Sequence, residues 1–337
     1  MKRVLLTGGL GNIGTRVIDE LLSQGYAVLC FDLKNKQNQK TAKRYEKKVE
    51  LIWGDITSKE SVQGAINDVD AVIHNAAMLP PFSETNPEAA KKVNIDGTSN
   101  VIDAIQTGNK STQLIFASSI SVHGNHMPDH SPVRSIDDPF VPCDHYAAHK
   151  IACENMLQKS DINWTVLRIS ACVDEKSRVS IANLKPGMET YFSVHPLCRI
   201  EYIHPADVAT AMVNAIGNKE AIRKPFFLGG GESCRSHWRE LNALRFEALG
   251  LGSPPFSYFG DGGFYTEWMD TGESQRVLQY QSHNLDDYRD ELKEVMKWLR
   301  RFITPVRPFV RSYMWSLSPK AKSLRELVLS FNSQPKQ

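Results

Sequence analysis

The segment DHYAAHK, residues 144–150, places a tyrosine and a lysine four positions apart. Residues at this spacing lie on the same face of an α-helix, so the Tyr146 phenol and the Lys150 ammonium group can point into one space. A nearby positive charge favours a phenolate, and a phenolate can remove the proton of an alcohol. The pair alone does not separate a proton-transfer site from a chance spacing, so the elements around it have to decide.

The first residues of the chain form a pattern typical of dinucleotide-binding units. A β-rich run over 4–7 leads into GGLGNIG, an amphipathic helix follows, and a second strand over 26–31 ends at Asp32. Glycines let the backbone approach a pyrophosphate, and a helix N-terminus supplies N–H groups and a partial positive charge. An acid at this distance can accept hydrogen bonds from an adenosine ribose. The cofactor contacts predicted here are Gly8, Gly11, Asn12, Ile13, Gly14 and Asp32.

The acid at position 32 also bears on the choice between NAD and NADP. A carboxylate there repels a 2′-phosphate, whereas Lys34 and Lys36 follow closely and are able to bind one. The sequence favours NAD, with NADP as the alternative.

The alternation of strands and helices continues through the next fifty residues. A strand over 49–53 leads to Asp55 and Ile56, which can place a carboxylate and an apolar side chain near an adenine ring. Alternatively, Asp55 is the N-cap of a helix that begins near Ser58. A further strand, 71–74, is followed by small residues that let the backbone pass close to a cofactor. Those residues are Asn75, Ala76 and Ala77.

Composition excludes several classes of protein. The 337 residues are 41% hydrophobic and 23% charged with a net charge of +2, which is typical of a soluble globular protein. No compact basic motif indicates nucleic-acid binding. The six cysteines form no CxxC or regular framework, and the first residues run directly into a strand, so we expect reduced thiols and no signal peptide. We therefore expect a cytoplasmic protein.

Taken together, these motifs resemble the extended branch of the short-chain dehydrogenase/reductase superfamily over roughly residues 1–300. The motifs are TGGLGNIG (7–14), Asp32, DI (55–56), HNAA (74–77), NIDGT (94–98), LIFASS (114–119), YAAHK (146–150) and EYIHPADVA (201–209). The resemblance implies a doubly wound parallel Rossmann sheet, α/β in class, with a smaller C-terminal α/β substrate-binding lobe. It also implies a homodimer through the YAAHK helix and a helix over 88–106.

The resemblance implies roles for Tyr146 and Lys150 and for a serine that precedes them. Tyr146 transfers the proton, and Ser119, at the end of the preceding strand, assists it, with Ser118 as the alternative serine. Lys150, together with an oxidised nicotinamide, lowers the pKa of the phenol and binds the nicotinamide ribose. Asn94, in the NIDGT motif, is added to the cofactor contacts.

Departures from the family pattern narrow the chemistry. The segment SISVHG (119–124) contains no carboxylate, so the acid–base pair of the 4,6-dehydratases is absent and dehydration is excluded. Only 33 residues separate Arg168 from Tyr202, which leaves little protein to hold a nucleotide diphosphate. The asparagine that nucleotide-sugar epimerases carry after the next core strand is also missing, because Ser170 or Ala171 occupies that place. The short spacing and the missing asparagine both favour a smaller substrate than a nucleotide sugar.

Substrate contacts are predicted from the residues near the ends of these strands. The run LRIS is similar to uronate dehydrogenases, where an arginine binds a carboxylate; a salt bridge at the end of a buried strand is the equal alternative for Arg168. The predicted substrate contacts are Ser119, His123, Arg168 and Cys172. Tyr265, Trp268 and Met269 are either pocket or core residues. No histidine or cysteine has metal-ligand spacing, so we expect no metal.

The same reading divides the chain into three parts. An NAD-binding Rossmann domain is predicted over 1–168, with 199–222 returning to it. The substrate-binding lobe is predicted over 169–198 and 223–300. A C-terminal extension, 301–337, completes the chain.

The start of that extension is basic and aromatic. Seven Lys or Arg and no acid occur between 300 and 325, together with Phe302, Phe309, Tyr313 and Trp315. Basic residues mixed with aromatics suit the headgroup region of an anionic membrane. The alternative is a tail that packs on its own domain or on a dimer partner.

The leading functional interpretation is NAD-dependent interconversion of a secondary alcohol and a ketone, on a small or lipophilic substrate. The first alternative is a sugar 4-epimerase, in which the same residues oxidise and re-reduce a sugar on tightly bound NAD. An alternative of another class is a non-catalytic dinucleotide-binding sensor or subunit. The retention of both Tyr146 and Lys150 argues against that class.

Overall fold

The computed structural model of the chain describes residues 2–128, 132–173 and 181–321. The strands are β1 (Arg3–Thr7), β2 (Ala27–Asp32), β3 (Glu50–Trp53), β4 (Ala71–His74), β5 (Gln113–Ser119), β6 (Asn163–Ile169), β7 (Arg199–Glu201), β8 (Lys224–Leu228) and β9 (Arg235–His237). The helices are α1 (Asn12–Ser23), α2 (Lys36–Ala42), α3 (Lys59–Ala65), α4 (Phe82–Thr85), α5 (Pro87–Lys91), α6 (Gly97–Thr107), α7 (His145–Lys159), α8 (Ile181–Ser193), α9 (Pro205–Asn214), α10 (Trp238–Ala248), α11 (Gly272–Leu278), α12 (Leu285–Ile303) and α13 (Arg307–Ser316).

Seven strands form one parallel sheet in the order β3-β2-β1-β4-β5-β6-β8. Strands such as VLLT and AVIH are apolar almost throughout because helices cover both faces of a parallel sheet. The strand order reverses between β1 and β4, where the chain leaves β1 for β2 on one side and β4 continues the sheet on the other. Ligands bind at this switch point, outside the carboxyl ends of the strands. The predicted doubly wound fold is confirmed.

Two hydrophobic layers hold the helices on the sheet. On one face α1 packs against α9, with Val17, Ile18 and Met212 fully buried. On the other face α3, α6 and α7 contribute to a second apolar cluster that includes Val62, Ile105 and Leu157. Burial of these side chains holds the helices on the sheet, and the site is built at the carboxyl ends of its strands.

A smaller lobe lies beyond the sheet. Strands β7 and β9 pair antiparallel, and α10 packs against α12. Its core is aromatic: Tyr191 lies 5.0 Å from Phe259 between ring centroids, and Tyr202 stacks on Tyr288 at 4.4 Å. The lobe is thus held mainly by aromatic packing rather than by an extensive sheet.

The sheet corrects two of the predicted domain boundaries. Strand β8, assigned by sequence to the lobe range 223–300, pairs with β6 in the main sheet, where Phe226 lies opposite Leu167. Strand β7, assigned to the returning segment 199–222, pairs with β9 in the small sheet instead. The apolar run PFFL suits a strand that is buried in a parallel sheet, and only the pairing partner shows which sheet it joins.

Two further properties bear on the expectations from composition. All six cysteines are free, and only Cys143 is exposed. Among the described residues, no helix combines the length and the apolar character that a membrane crossing requires.

Candidate active site

The first turn of helix α7 is stabilised by side chains that accept its free backbone N–H groups. Asp144 is the N-cap and accepts a hydrogen bond from the Ala147 N–H at 2.7 Å. The Glu84 carboxylate accepts the N–H groups of His145 and Tyr146, at 3.1 and 3.3 Å. An acid at a helix N-terminus is favoured by the partial positive charge there. These contacts fix the first turn, which carries Tyr146.

Lys150 lies one turn further along α7 and is only 4% exposed. Its ammonium group donates to the Ala117 carbonyl at 2.6 Å and lies 4.6 Å from the ring centroid of Phe116 and 5.6 Å from that of Tyr146. Burial lowers the pKa of Lys150 to about 8. The predicted shared face of the pair is therefore present.

The phenol of Tyr146 has a raised pKa in the chain alone. Burial, with smaller contributions from Tyr265 and Asp144, raises this pKa above its usual value, because removal from water disfavours the phenolate. The sequence predicted a lowered pKa for Lys150 acting together with an oxidised nicotinamide, and the pKa with cofactor bound stays a prediction.

The two serines at the end of β5 have different partners. The Ser119 oxygen accepts hydrogen bonds from the N–H and the hydroxyl of Ser121, at 3.2 and 2.9 Å, which leaves its own proton to donate. Ser118 is 2% exposed and donates to Glu154 at 2.5 Å. Ser119 is the serine able to hold a substrate oxygen.

The glycine turn fits a pyrophosphate. Gly8 has a φ of +67°, and a Cβ there would lie 2.9 Å from the backbone of Ala76. Helix α1 begins after Gly11, which provides no side-chain cap, so a bound anion can take the place of one. A Cβ at Gly14 would lie 2.3 Å from the Gly8 carbonyl oxygen. Gly14 therefore packs the helix against the backbone of the glycine turn and does not line the cavity, which corrects its predicted role.

Hydrogen bonds fix the Asp32 side chain in a position from which it can contact a cofactor ribose. Its carboxylate accepts the N–H groups of Leu10 at 2.9 Å and Leu33 at 2.8 Å, and the Asn38 side-chain amide at 2.9 Å. Burial raises the pKa of Asp32, although these hydrogen bonds oppose that shift. Asn38, which was not predicted from the sequence, also lines the cavity. An amide six residues after the acid was its signal.

The loops that follow β3 and β4 carry the remaining predicted cofactor contacts. Ser58 accepts the Ser61 N–H at 3.2 Å and is the N-cap of α3, so the alternative role of Asp55 as that cap is wrong. Asp55 instead lines the cavity and accepts the Thr57 N–H at 2.9 Å. The predicted cofactor residues Ile56, Asn75, Ala76 and Ala77 also line it.

Asn94 has a different position from the one expected. It is 2% exposed in a π-helical turn, Lys92–Asp96, and does not line the cavity. Its side chain accepts the Met78 N–H at 2.7 Å and donates to the Met78 carbonyl at 2.9 Å. Asn94 therefore holds the loop after β4 and acts on the cofactor side only through that loop.

Two predicted substrate contacts lie behind the cavity. Arg168, 3% exposed, donates to the Glu154 carboxylate at 2.8 Å and to the Ile136 carbonyl at 2.7 Å. His123, also 3% exposed, accepts from the Arg168 guanidinium at 3.2 Å, and burial lowers its pKa to about 4. The structure shows the salt bridge that was the alternative interpretation of Arg168, and Arg168 does not line the cavity. A buried arginine needs a partner, and α7 supplies Glu154.

One cavity of about 740 Å³ joins these residues. The predicted residues that line it are Gly8, Gly11, Asn12, Ile13, Asp32, Asp55, Ile56, Asn75, Ala76, Ala77, Ser119, Tyr146, Lys150 and Cys172. The lobe adds a wall that is mostly apolar and aromatic, of which only Tyr265 was a pocket candidate from the sequence. The wall includes Val173, Ile200, Trp238, Leu241, Phe264, Tyr265 and Tyr288. Trp268 and Met269 lie outside this wall, and Met269 is a fully buried core residue.

Away from the cavity, His204, Asp207 and His283 offer ligand atoms within 4.8 Å of one another. The Asp207 oxygens already accept the backbone N–H groups of Ser282 and His283, at 3.2 and 3.1 Å, and the Ser282 hydroxyl at 2.6 Å. The group ties α9 to the loop before α12 by hydrogen bonds. It is an architectural contact that the sequence spacing does not reveal.

Comparison with known proteins gives matches of two kinds. Mouse "3 beta-hydroxysteroid dehydrogenase type 7" is 32% identical over 157 residues, which are 45% of this chain and 42% of that protein. Human "Sterol-4-alpha-carboxylate 3-dehydrogenase, decarboxylating" is 31% identical over 153 residues, 45% of this chain and 38% of that protein. The chain thus matches less than half the length of these relatives.

Solved structures match more of the chain at lower identity. A short-chain dehydrogenase/reductase superfamily protein from Agrobacterium tumefaciens with bound NAD has a TM-score of 0.72 at 20% identity, over 90% of this chain and 99% of that one. UDP-glucuronic acid 4-epimerase from Bacillus cereus, with UDP-glucuronic acid and NAD, has a TM-score of 0.73 at 19% identity, over 88% and 99%. At such identities these structures establish the fold alone.

The family match is the broader finding. Residues 4–229 match the NAD dependent epimerase/dehydratase family, a range that contains the glycine turn, Asp32, Ser119, Tyr146 and Lys150. The chain belongs to the NAD dependent epimerase/dehydratase family.

Proposed function

We propose that this protein catalyses the NAD-dependent interconversion of a secondary alcohol and a ketone on a small, lipophilic substrate. The observation that carries the proposal is the single cavity that joins the glycine turn and Asp32 to Ser119, Tyr146 and Lys150. A dinucleotide bound along the first group of residues extends towards the second. The family is one of NAD-dependent enzymes, and its chemistry is consistent with this arrangement.

Bound NAD supplies the hydride acceptor and a positive nicotinamide. Tyr146 accepts the proton of the substrate hydroxyl as the hydride leaves the same carbon. Ser119 donates a hydrogen bond to that oxygen and holds it near the phenol. Lys150 contributes a charge beneath the Tyr146 ring, anchored by the Ala117 carbonyl. Because burial raises the pKa of the phenol, the cofactor charge is needed before Tyr146 can act as a base.

NAD, rather than NADP, is the cofactor that Asp32 favours. Two backbone N–H groups and the Asn38 amide fix the carboxylate at the cavity wall. A 2′-phosphate would bring a second negative charge beside it, whereas ribose hydroxyls can donate to it. Lys34 and Lys36, the alternative phosphate contacts, are exposed and do not line the cavity.

A lipophilic substrate suits the wall that the lobe contributes. Trp238, Leu241 and Phe264 line the same cavity as Ser119 and Tyr146, and the Arg168 guanidinium is already paired with Glu154. The names of the relatives, a hydroxysteroid dehydrogenase and a sterol carboxylate dehydrogenase, point to ring alcohols of this kind. A fused-ring secondary alcohol is therefore the first substrate class to test.

The test is an assay of NADH formation with a panel of ring and chain secondary alcohols. We expect NADH to form over many turnovers with at least one alcohol of the panel. In Tyr146→Phe the rate of NADH formation should fall about a hundredfold or more, because general base catalysis contributes about 10²–10⁴-fold. The matched control is Tyr265→Phe, which removes a neighbouring phenol from the same cavity and should retain most activity. Equal activity of Tyr146→Phe and the wild type would refute the proposed role.

The same preparation separates a dehydrogenase from an epimerase. A dehydrogenase exchanges its cofactor at each turnover, so the purified protein should release little nucleotide on denaturation and should bind added NAD reversibly. Retention of NAD near one per chain, with no net NADH formed from any alcohol, would favour the epimerase instead. The homodimer and the cytoplasmic location stay predictions.

A further inference from the structure

The exposed apolar surface of this protein is concentrated at one place. Fourteen large hydrophobic side chains are exposed in the described residues, and seven of them fall between positions 295 and 313. They are Val295 (45% exposed), Trp298 (70%), Leu299 (53%), Phe302 (70%), Val306 (46%), Phe309 (78%) and Tyr313 (56%). We call this set the C-terminal apolar surface. Isolated exposed hydrophobics are common, but a contiguous group indicates a binding surface.

The helical spacing makes this surface continuous. Val295, Trp298, Leu299 and Phe302 follow the i, i+3, i+4, i+7 pattern along α12. The buried side chains of the same helix, Tyr288 and Leu292, occur nearer its start and pack into the aromatic core of the lobe. The second half of α12 therefore has an apolar face that the lobe does not cover.

Helix α13 extends the surface. A short turn, Thr304–Val306, joins the two helices, and Phe309 and Tyr313 lie one turn apart on α13 with their side chains exposed. Met314 and Trp315 of this helix are buried, so α13 is fixed to the lobe by one side only. The aromatic side chains are thus presented on an anchored element.

Charge distinguishes among the partners that such a surface suits. From Val295 to Ala321 the sequence contains six Lys or Arg and no Asp or Glu. The cations are Arg300, Arg301, Arg307 and Arg311, together with Lys297 and Lys320, which pair with Glu294 at 3.5 Å and with Asp261 at 3.3 Å. A second copy of the same surface would bring the like charges of the four arginines together at the contact, whereas an anionic lipid surface attracts them. Aromatic rings flanked by Arg and Lys suit the headgroup region, where the long cationic side chains reach the phosphates.

We infer that α12 and α13 form a peripheral docking surface for an anionic phospholipid bilayer. The exposed aromatic and aliphatic side chains enter the boundary between headgroups and acyl chains, and the basic residues contact lipid phosphates. The same helix α12 lines the cavity at Tyr288, ten positions before Trp298, which is about 15 Å along a helix. The inference rests on the surface alone and is independent of the reaction proposed above.

The experiment is co-sedimentation of the full chain with vesicles, either of phosphatidylcholine alone or of phosphatidylcholine containing phosphatidylserine. We expect binding to the anionic vesicles, weakened when salt screens the charges, and little binding to phosphatidylcholine alone. The double variant Phe302→Ser/Phe309→Ser should need about tenfold more lipid for half-maximal binding. The matched control is Phe256→Ser, because Phe256 is 51% exposed elsewhere on the lobe.

A second readout reports insertion directly. Brominated lipid quenches tryptophan fluorescence only at short range, so the wild type should be quenched by anionic brominated vesicles. Trp298→Phe keeps an aromatic ring and should still bind, but it should lose most of that quenching. Circular dichroism of every variant shows whether the fold is retained.

Three results would overturn the inference. The first is failure of the wild type to sediment with anionic vesicles. The second is unchanged binding by Phe302→Ser/Phe309→Ser, which would place lipid binding in another segment. The third is a stable dimer in sedimentation equilibrium that the same double variant dissociates, because the surface would then be a contact between two copies.

Discussion

The ammonium group of Lys150 donates a hydrogen bond to the backbone carbonyl of Ala117 over 2.6 Å. This contact links α7 to the end of β5, two residues before Ser119. The same lysine lies beneath the Tyr146 ring. One buried cation therefore lies between the helix that carries Tyr146 and the strand that carries Ser119.

The first prediction concerns the proton of Lys150. Its pKa, lowered to about 8 by burial, lies below the value near 10.4 of an unfolded lysine. The folded state therefore carries the full burial penalty below pH 8, and the penalty is relieved as the pH rises from 8 towards 10. Lys150→Met lacks this group, so its stability relative to the wild type should fall over that range by about 1.4 kcal/mol per pH unit.

Unfolding by urea at a series of pH values measures this difference. Comparing the two proteins cancels the titration of their shared tyrosines and cysteines, which act in the opposite direction at alkaline pH. Lys159→Met, at the exposed end of the same helix, is the matched control and should show no such trend. A difference between Lys150→Met and wild type that does not change with pH would contradict the assignment.

The second prediction concerns cofactor selection by Asp32. Asp32→Asn keeps the shape of the side chain and removes the charge that opposes a 2′-phosphate. We expect the ratio of kcat/KM with NAD to kcat/KM with NADP to fall at least about tenfold, equivalent to about 1.4 kcal/mol. Asp55→Asn, which also lines the cavity, should weaken NAD binding without changing that ratio. An unchanged ratio in Asp32→Asn would move selection to Lys34 or Lys36.

The third prediction separates the two interpretations of Arg168. The Arg168–Glu154 pair is 4% and 1% exposed, and loss of one partner leaves a buried charge without compensation. Arg168→Met should therefore lower the free energy of unfolding by about 3–5 kcal/mol, and Glu154→Gln in the same chain should recover part of that loss.

An exposed ion pair provides the control for this experiment. Lys110 and Asp161 are each 60% exposed, so Lys110→Met should change stability by less than about 1 kcal/mol. If Arg168→Met instead retained its stability and raised only the KM for substrate, the role of Arg168 in substrate binding would be restored.

The fourth prediction concerns acid stability. His74 is 1% exposed between the hydroxyls of Thr7 and Thr98, and burial lowers its pKa to about 3. An unfolded histidine, with a pKa near 6.5, gains a proton well before the folded one does. This group therefore makes the folded state less stable as the pH falls from 6.5 towards 3. The loss is about 1.4 kcal/mol per pH unit.

His74→Gln should remove that contribution. The free energy of unfolding should fall by about 2 kcal/mol less between pH 6.5 and 5 in this variant than in the wild type. His123, also buried, contributes in the same direction in both proteins and cancels in the comparison. His145→Gln, exposed at the start of α7, is the control; equal slopes in the wild type and His74→Gln would refute the prediction.

The sequence by itself was sufficient for the parts of this protein that depend on local pattern. The order of strands and helices, the glycine turn before α1 and the Tyr146–Lys150 spacing follow from periodicity and from positions close together in the chain. Such features need only neighbours within one or two turns of helix, or the next strand.

The tertiary structure decided what depends on partners distant in the chain. Whether Arg168 faces a substrate or Glu154 is set by how α7 packs on β6, and no local signal distinguishes the two. In the same way, the role of Asn94 depends on Met78, and the sheet that β8 joins depends on β6. A buried charge or amide forms a hydrogen bond with whichever group the packing of the elements places next to it. Without such a partner, its desolvation would cost a large part of the free energy of folding.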